Sequence, residues 1–582
     1  MSFAFIAIAL SKKSEVGVRD RVEVLAARRG LTKIFTSSRL LVFATPNYES
    51  NLLDDAVGVL IGDVYCRHVP ARAFDGRPEN ATRVSSAQRD GRLSAEYWGS
   101  YIALTTSPDG SCRVERSPFG TINAYYTVEA GTLMIASDAS AVIEIANRSR
   151  VVDWDSVIRH IIWDNLSTLS TCLTGISEVR SGEAIAFDGQ SGISAEFVWD
   201  PWMFTRRDAM IEDAETAVEL VRREILRCVA ARMISNVSYA VDLSGGLDSS
   251  IIAAAAAKSA CALRSTTMFS AGNDGDERNF ARAVADHLRI VLDEGAPDPM
   301  GPDLLRAARA HLARPHSRSF VQETDRISLE LATKQGVGTF LNGQGGDAVF
   351  CHLQSSGPAA DVIRYHGRTP RFAYMAFQVA RAAQCSAWDI AVKGMKKALK
   401  GKKHDDWHSD VTFLASEARS VKLNGGLPWP APSERALPGK VEHVHALYNS
   451  IYNMNGYARS DILKGEFPLL SQPLVECCLR IPTWLWIGRG RNRLIARRAM
   501  ERDLPRKIAW RISKGGLGQF QLRMMRARRP LIREMLMDGR LSEVGILNRA
   551  EIESQLSDDM SFRSNDVGRI LRLCDVEAWC RG

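Results

Sequence analysis

None of the eleven cysteines between Cys66 and Cys580 forms a C-x-x-C pair. That absence excludes a zinc ribbon. The odd count and the adjacent Cys477 and Cys478 speak against a disulfide scaffold and for reduced thiols in a cytoplasm. Long apolar runs are missing too, since none reaches the roughly 18 residues needed to cross a bilayer. The longest candidate, Ile251 to Leu263, is Ala-rich and broken by Lys258 and Ser259, so it reads as a packed helix. The opening MSFAFIAIALSKK has its lysines after the apolar run, the wrong order for a signal peptide, and reads as a buried first strand. Charge of one sign is scarce: +8 on 582 residues permits an anionic partner without demanding nucleic acid. A soluble, cytoplasmic protein with neither a nucleic-acid nor a membrane partner is expected. Internal repeats and a G-x-x-x-x-G-K-S/T phosphate loop are absent as well.

What is there is ordinary in bulk, 45% apolar and 24% charged, on a chain too long for one hydrophobic core. Residues 1–204 read as short β-runs: Phe3–Ala9, Leu40–Ala44, Val57–Tyr65, Tyr101–Thr106, Arg113–Arg116 and Leu133–Ala136. Turn chemistry at Pro108-Asp109-Gly110 and Asp188-Gly189 separates them. Over residues 205–582 the pattern changes. A helix, Ala214–Met233, leads to a strand, Val237–Leu243. Strand and helix then alternate through Arg264–Phe269, Glu277–His287 and Gly338–Leu341, which implies βαβ units and a parallel sheet. From Ala359 the chain is mainly helical, with a basic segment, Val392–His404, and a Pro/Gly-rich stretch, Gly425–Gly439, expected to be loop.

The most informative run is the strand Val237–Leu243 followed by Ser244-Gly245-Gly246-Leu247-Asp248-Ser249-Ser250 and a helix from Ile251. Gly245 and Gly246 permit positive φ and close backbone approach. The amides of Ser249 and Ser250 lie at a helix N-terminus, where unpaired N–H groups and the dipole favour an anion, and both hydroxyls can add donors. The result is a phosphate cradle. Asp248 inside an anion site would be repulsive unless a cation intervened, so it is expected to hold Mg²⁺.

The same run resembles the pyrophosphate loop of ATP pyrophosphatases, in particular the asparagine synthetase and β-lactam synthetase family. Leu263–Met268 looks like the family's second strand, and Asp276-Glu277 with Ala281 and Ala285 like its next helix. Leu341-Asn342-Gly343-Gln344-Gly345-Gly346-Asp347 looks like its second loop, Phe467–Glu476 like its P-F-L-D-x-x-L-V-E segment, and Trp510–Gly516 like the segment that supplies a catalytic lysine. The resemblance implies an Ntn-type αββα glutaminase-like sandwich over 1–204. It implies a parallel-sheet α/β synthetase domain with a helical C-terminal part over 205–582. It further implies an enzyme that adenylates a carboxylate with ATP, releases pyrophosphate, then transfers the acyl group to an amine and releases AMP. By the same match, Leu243, Ser244, Gly245, Gly246, Ser249 and Ser250 hold the phosphates, and Met268 and Gly343 approach the nucleotide. Asp248 and Asp347 hold Mg²⁺, and Lys514 stabilises the charge that develops. Gln344 departs from the family's Glu or Tyr at that place and cannot accept a proton, which leaves the base for the amine unnamed.

Trp98–Tyr101, Asp109-Gly110, Ile135–Asp138 and Gly175-Ile176 with Gly182 resemble the family's glutaminase domain, but the nucleophilic Cys expected at position 2 is Ser2. Val59-Leu-Ile61-Gly62-Asp63 stands where an Asn-Gly oxyanion segment belongs, and Ile61 has no donor. With no glutaminase, the amine is expected on the substrate itself, so ring closure is the expected outcome. The Asn342–Phe350 segment and the lysines Lys393, Lys396, Lys397, Lys400, Lys402 and Lys403 resemble lasso-peptide cyclases. That implies a precursor peptide as substrate, with a leader peptidase and a precursor-recognition protein as partners. A β-lactam or carbapenam synthetase and an ammonia-dependent asparagine synthetase stay open, and the lysines read equally as a solvated helix face.

Overall fold

The computed structural model describes residues 4–582 except 12–16, 47–49, 54–56, 68–92, 108, 164–165, 167, 191, 235–236, 260, 270–275, 317, 401–406, 424–427, 513–514, 516–517 and 558–563. The N-terminal part is two six-stranded sheets face to face. The first runs in the order Ser177–Glu178, Tyr125–Glu129, Thr132–Ala136, Phe5–Leu10, Leu40–Ala44, Thr32–Thr36. The second runs Ile193–Phe197, Glu183–Phe187, Cys112–Arg116, Tyr97–Thr106, Gly58–Cys66, Ser50–Leu52. Their pairings are antiparallel, including Phe5↔Ala44, Ile6↔Ala136 and Ile61↔Ile102. Period-two alternation sorts the side chains. Phe5, Ala7, Val42, Val59, Ile61, Ile102 and Leu104 fill the space between the sheets. Ile6, Ile8, Leu41, Phe43 and Met134 face the other way, onto the helices Val18–Arg28, Ala139–Ile145 and Trp154–Ile162. That outer layer is continuous with residues of the C-terminal helices, among them Met524, Ile570 and Trp579, so the two ends of the chain share one core.

The third sheet is parallel, in the order Val291–Gly295, Ala262–Met268, Ser238–Asp242, Thr339–Leu341, Lys464–Glu466. Its first strand in sequence is central. The chain adds strands on one side, then returns to the other, and the strand order reverses between Ser238–Asp242 and Thr339–Leu341. A crevice opens at the carboxyl ends of strands at such a reversal. Tyr239, Val241, Leu341 and the Ala-rich helix Leu247–Ala256 pack beneath it.

Most expected elements are present with ends shifted by a few residues; the helix Ala214–Met233, for example, ends at Ala230. One expectation needs correction. The loop expected over Gly425–Gly439, of which 425–427 lie outside the described residues, stops at Leu437, because Pro438 occupies the first turn of the helix Pro438–Met454, where its fixed φ and missing N–H cost nothing. The mainly helical remainder also supplies the fifth strand, Lys464–Glu466, pairing Phe340↔Gly465. The described part of the basic segment, residues 392–400, lies in the helix Ala387–Lys400. There Lys397 is half-buried and pairs with Glu442 at 2.5 Å, while Lys393, Lys396 and Lys400 are exposed. Lys402 and Lys403 lie outside the described residues.

One carboxylate ties the sandwich to the parallel-sheet part. Glu476 accepts from Arg67 Nη1 at 2.6 Å and Nη2 at 2.8 Å, from Trp199 Nε1 at 2.9 Å and from Gln472 Nε2 at 2.9 Å. Among the described residues no helix is long and apolar enough to cross a membrane, and all eleven cysteines are free.

Candidate active site

A cavity of about 640 Å³ opens where the strand order reverses. Leu243, Ser244, Gly246, Asp248 and Ser249 from the first loop line it, as do Met268 at the end of the neighbouring strand and Gly343, Gln344 and Asp347 from the second loop. Two residues expected to touch a ligand do not line it. Ser250 is fully buried, and its hydroxyl donates to Gly246 O at 2.7 Å inside the first helical turn. Gly245 has the positive φ expected, +68°, but what approaches it is protein: a β-carbon there would lie 2.5 Å from Phe280 Cβ and 2.6 Å from Ala281 N. Lys514 lies outside the described residues, as do Ser2 and Gly516, while Gly515 lines the cavity.

The two loops meet backbone to backbone. A β-carbon on Gly343 would lie 2.9 Å from Ser249 N, and one on Gly346 would lie 2.5 Å from Asp248 Cγ. This contact brings the two acids together. Arg493 Nη1 donates to Asp248 Oδ1 at 3.0 Å, to Asp248 Oδ2 at 3.1 Å and to Asp347 Oδ1 at 2.6 Å. Asp347 Oδ1 also lies 3.0 Å from His352 Nδ1. Arg493 is 7% exposed and itself has a positive φ of 52°. Burial, and next the neighbouring Arg493, pull Arg497 down to about 10. Among the described residues no group of three or more His, Cys, Asp or Glu converges as a complete metal cage.

Around this centre the walls are held by ion pairs. Arg511 donates through Nη1 to Gly245 O at 3.0 Å and through Nη2 to Glu277, and its guanidinium lies 3.6 Å from the Phe280 ring centre. It therefore fixes the chain just before Lys514 against the first loop. On the other side Asp242 accepts from both Arg459 terminal nitrogens and from Asn342 Nδ2 at 2.8 Å; Asn342 Oδ1 in turn accepts from Gln344 N at 2.7 Å. The Gln344 side chain accepts from Tyr457 OH at 3.3 Å.

Arg493, Arg459 and Asp242 are site residues that sequence reasoning missed. The available signal was the run Gly488-Arg-Gly-Arg-Asn-Arg493 before a helix, which announces a cation but not which arginine points inward. In the sandwich, Ile61 is fully buried between the sheets, so that strand presents no side-chain donor there.

A family model described as asparagine synthase matches residues 220–581. The carboxyethyl-arginine beta-lactam-synthase of Streptomyces clavuligerus is 37% identical over 119 residues, 20% of this chain. The chain matches only 22% of that relative's length. Two solved structures are similar at low identity. The allosteric regulatory enzyme of purine biosynthesis is 10% identical with a TM-score of 0.21, over 52% of this chain and 82% of that one. Glutamine phosphoribosylpyrophosphate amidotransferase from B. subtilis, complexed with ADP and GMP, is 11% identical with a TM-score of 0.21, over 60% and 77%.

Proposed function

We propose that this chain, which belongs to the asparagine synthase family, is an ATP-dependent, AMP-forming amide synthetase that closes a macrolactam in a peptide, as lasso-peptide cyclases do. The observation that carries the synthetase reading is the meeting of the two Gly-rich loops, with Asp248 and Asp347 held on one nitrogen of Arg493. The acyl group is an Asp or Glu side chain of a precursor peptide. Its carboxylate oxygen attacks the α-phosphorus of ATP and pyrophosphate leaves. The peptide's N-terminal amine then attacks the acyl carbon, loses a proton, and AMP departs with the carboxylate oxygen.

Each resident group has a task in that sequence. The hydroxyls of Ser244 and Ser249, 3.1 Å apart, stand beside the positive end of the helix Leu247–Ala256 and suit phosphate oxygens. Asp248 and Asp347 suit Mg²⁺: they are hard oxygen donors brought together on Arg493 Nη1, and would hold the ion with substrate phosphates and water. When bound, Mg²⁺ neutralises charge on the leaving pyrophosphate. Arg493 holds the two carboxylates together and adds a cation beside the same phosphates. Lys514, carried by the segment that Arg511 anchors, is assigned to the oxyanion. Gln344 cannot act as base. An α-amine with pKa about 7.7–8.0 is neutral in part near pH 7, and holding it close to the acyl carbon supplies much of the rate.

The sandwich serves as a docked structural unit without ammonia chemistry, and a leader peptidase and a recognition protein would prepare the peptide. A second reading has its own support. The 37% identity to carboxyethyl-arginine beta-lactam-synthase favours closure of a β-lactam ring on a small β-amino acid. Pyrophosphate and AMP release from ATP with Mg²⁺, read with the intact product mass, separates the two. AMP formation with loss of one water from a free-amine peptide bearing Asp or Glu establishes macrolactam closure. AMP formed only with a small β-amino acid moves the assignment to the β-lactam branch, and AMP formed only with aspartate and ammonia moves it to asparagine synthesis. No AMP with the processed precursor and its partner proteins removes the synthetase reading.

A further inference from the structure

Arg493 reaches Asp248 and Asp347 from a short, tightly held stretch of backbone. Gly488 and Arg491 form an antiparallel bridge, with Gly488 N donating to Arg491 O at 3.0 Å and Arg491 N donating to Gly488 O at 2.9 Å. The two residues between them, Arg489 and Gly490, both have positive φ, 55° and 68°. A two-residue hairpin turn of type I′ needs that sign at both places. Glycine adopts it freely, but arginine does so at a cost, because its β-carbon crowds the following carbonyl. Arg493, two residues after the bridge, is left-handed as well, at 52°, and stands immediately before the helix Leu494–Met500. Two such arginines within five positions persist only where the surroundings fix them.

Part of what fixes them lies outside the nucleotide cavity. Gln378, on the helix Pro370–Ala383, is buried, and its Oε1 accepts from Gly490 N at 2.8 Å. Arg381, one turn further along that helix, lies against the same glycine: a β-carbon on Gly490 would stand 3.1 Å from Arg381 Nε. Beyond the turn, Arg497 donates through Nε to Asn492 O at 2.8 Å and through Nη1 to Ala509 O at 2.7 Å. The segment is thus clasped at Gly490 by one helix and at Asn492 by another, and Arg493 follows directly.

Gln378 does not line the nucleotide cavity, so its bond acts on the turn alone. Gly490 is buried, and without Gln378 its N–H would be left with no water to replace the acceptor. That bond and the cost of a left-handed Arg489 are of similar size. Once the bond is lost, the turn gains by letting Arg489 become right-handed, and the chain leading to Arg493 changes course.

We propose that Gln378 is a positioning residue for Arg493: by accepting from Gly490 N it holds the left-handed turn, and the turn sets where the Arg493 guanidinium meets Asp248 and Asp347. The inference rests on the reading of the first cavity as the MgATP site. Isothermal titration of the full-length chain with MgATP tests it without the need for a peptide. Gln378→Leu is expected to weaken MgATP about ten-fold, while Gln378→Glu, which keeps an acceptor at the same reach, stays within about three-fold of the wild type. Arg493→Ala weakens MgATP too, and adding Gln378→Leu to it should change nothing further, whereas a loss unrelated to Arg493 would add. Arg489→Gly removes the cost of the left-handed turn and should restore most of the affinity lost in Gln378→Leu. Should Gln378→Leu fail to fold, Gln378→Asn, one methylene too short to reach Gly490, takes its place with the same expectations. Unchanged affinity in the folded Gln378 variant, an additive loss in the double variant, or no rescue by Arg489→Gly would each overturn the proposal while leaving the MgATP site in place. No saturable binding of MgATP by the wild type would remove the reading of the first cavity, and the role of Gln378 with it.

Discussion

One nitrogen of Arg493 lies 2.6 Å from Asp347 and 3.0 Å from Asp248, joining two acids that are 99 positions apart in sequence. Remove it and two carboxylates face one another across a few ångströms with no cation between them. Arg493→Ala is expected to lower ATP-dependent pyrophosphate release about 10²-fold, the usual cost of losing one group that stabilises transition-state charge. Arg493→Lys should recover part of the rate, because lysine keeps the charge but not the planar fork. A wild-type rate in the alanine variant would remove Arg493 from the machinery.

Gly245 is held by φ and by contact at once. Alanine there needs a left-handed backbone, costing about 1–2 kcal/mol, and drives its β-carbon into Phe280. Gly245→Ala should lower the denaturant midpoint and the activity together. Gly246→Ala should be milder, since its added carbon meets only Ser244 Oγ at 3.2 Å.

These positions also show what was legible in the sequence. Asp248 and Asp347 were readable because each sits in a Gly-rich loop after a buried strand, a local pattern that fixes where a side chain emerges. Arg493 was not, since its partners are 245 and 146 residues away and three arginines stand within five positions. The Ser250 hydroxyl misled for a different reason: one further step round the first helical turn points it at Gly246 O rather than at the ligand. Lys464–Glu466 is too short and polar to carry any period, and only its neighbours in space make it a strand.

Asp361 reports on pH. It is buried, accepting from Gly439 N at 2.6 Å and Thr483 Oγ1 at 2.7 Å, and burial raises it to about 7. An unfolded aspartate titrates near 3.9, so the folded state holds the proton more tightly. The stability gained from that proton is complete below about pH 4 and is lost as pH rises through about 7. Denaturant unfolding at pH 5 and pH 8 should therefore show a larger loss for the wild type than for Asp361→Asn. An identical loss in both would place the titration elsewhere.

Glu476 is the carboxylate through which Arg67, Trp199 and Gln472 meet. Glu476→Ala leaves the half-buried Arg67 guanidinium with Ser94 O but without its carboxylate, and should cost about 1–3 kcal/mol in chemical unfolding. Loss should appear first as exposure of Trp199, read by its fluorescence, before the parallel sheet unfolds. A single unchanged transition would mean that the sandwich does not lean on this contact.

The same bond has a consequence for how the protein is made. Arg67 is translated 409 residues before Glu476. At the usual rates of synthesis the ribosome needs roughly 20–80 s to cover that distance. Throughout that interval Arg67, and over its last 277 residues Trp199 as well, stand without the acceptor they share. The last helix, whose Trp579 shares a core with Ile6 and Phe43, arrives later still. Chaperone demand should then fall on the early, half-finished chain, and slowing translation, which lengthens that exposure, should lower the soluble yield.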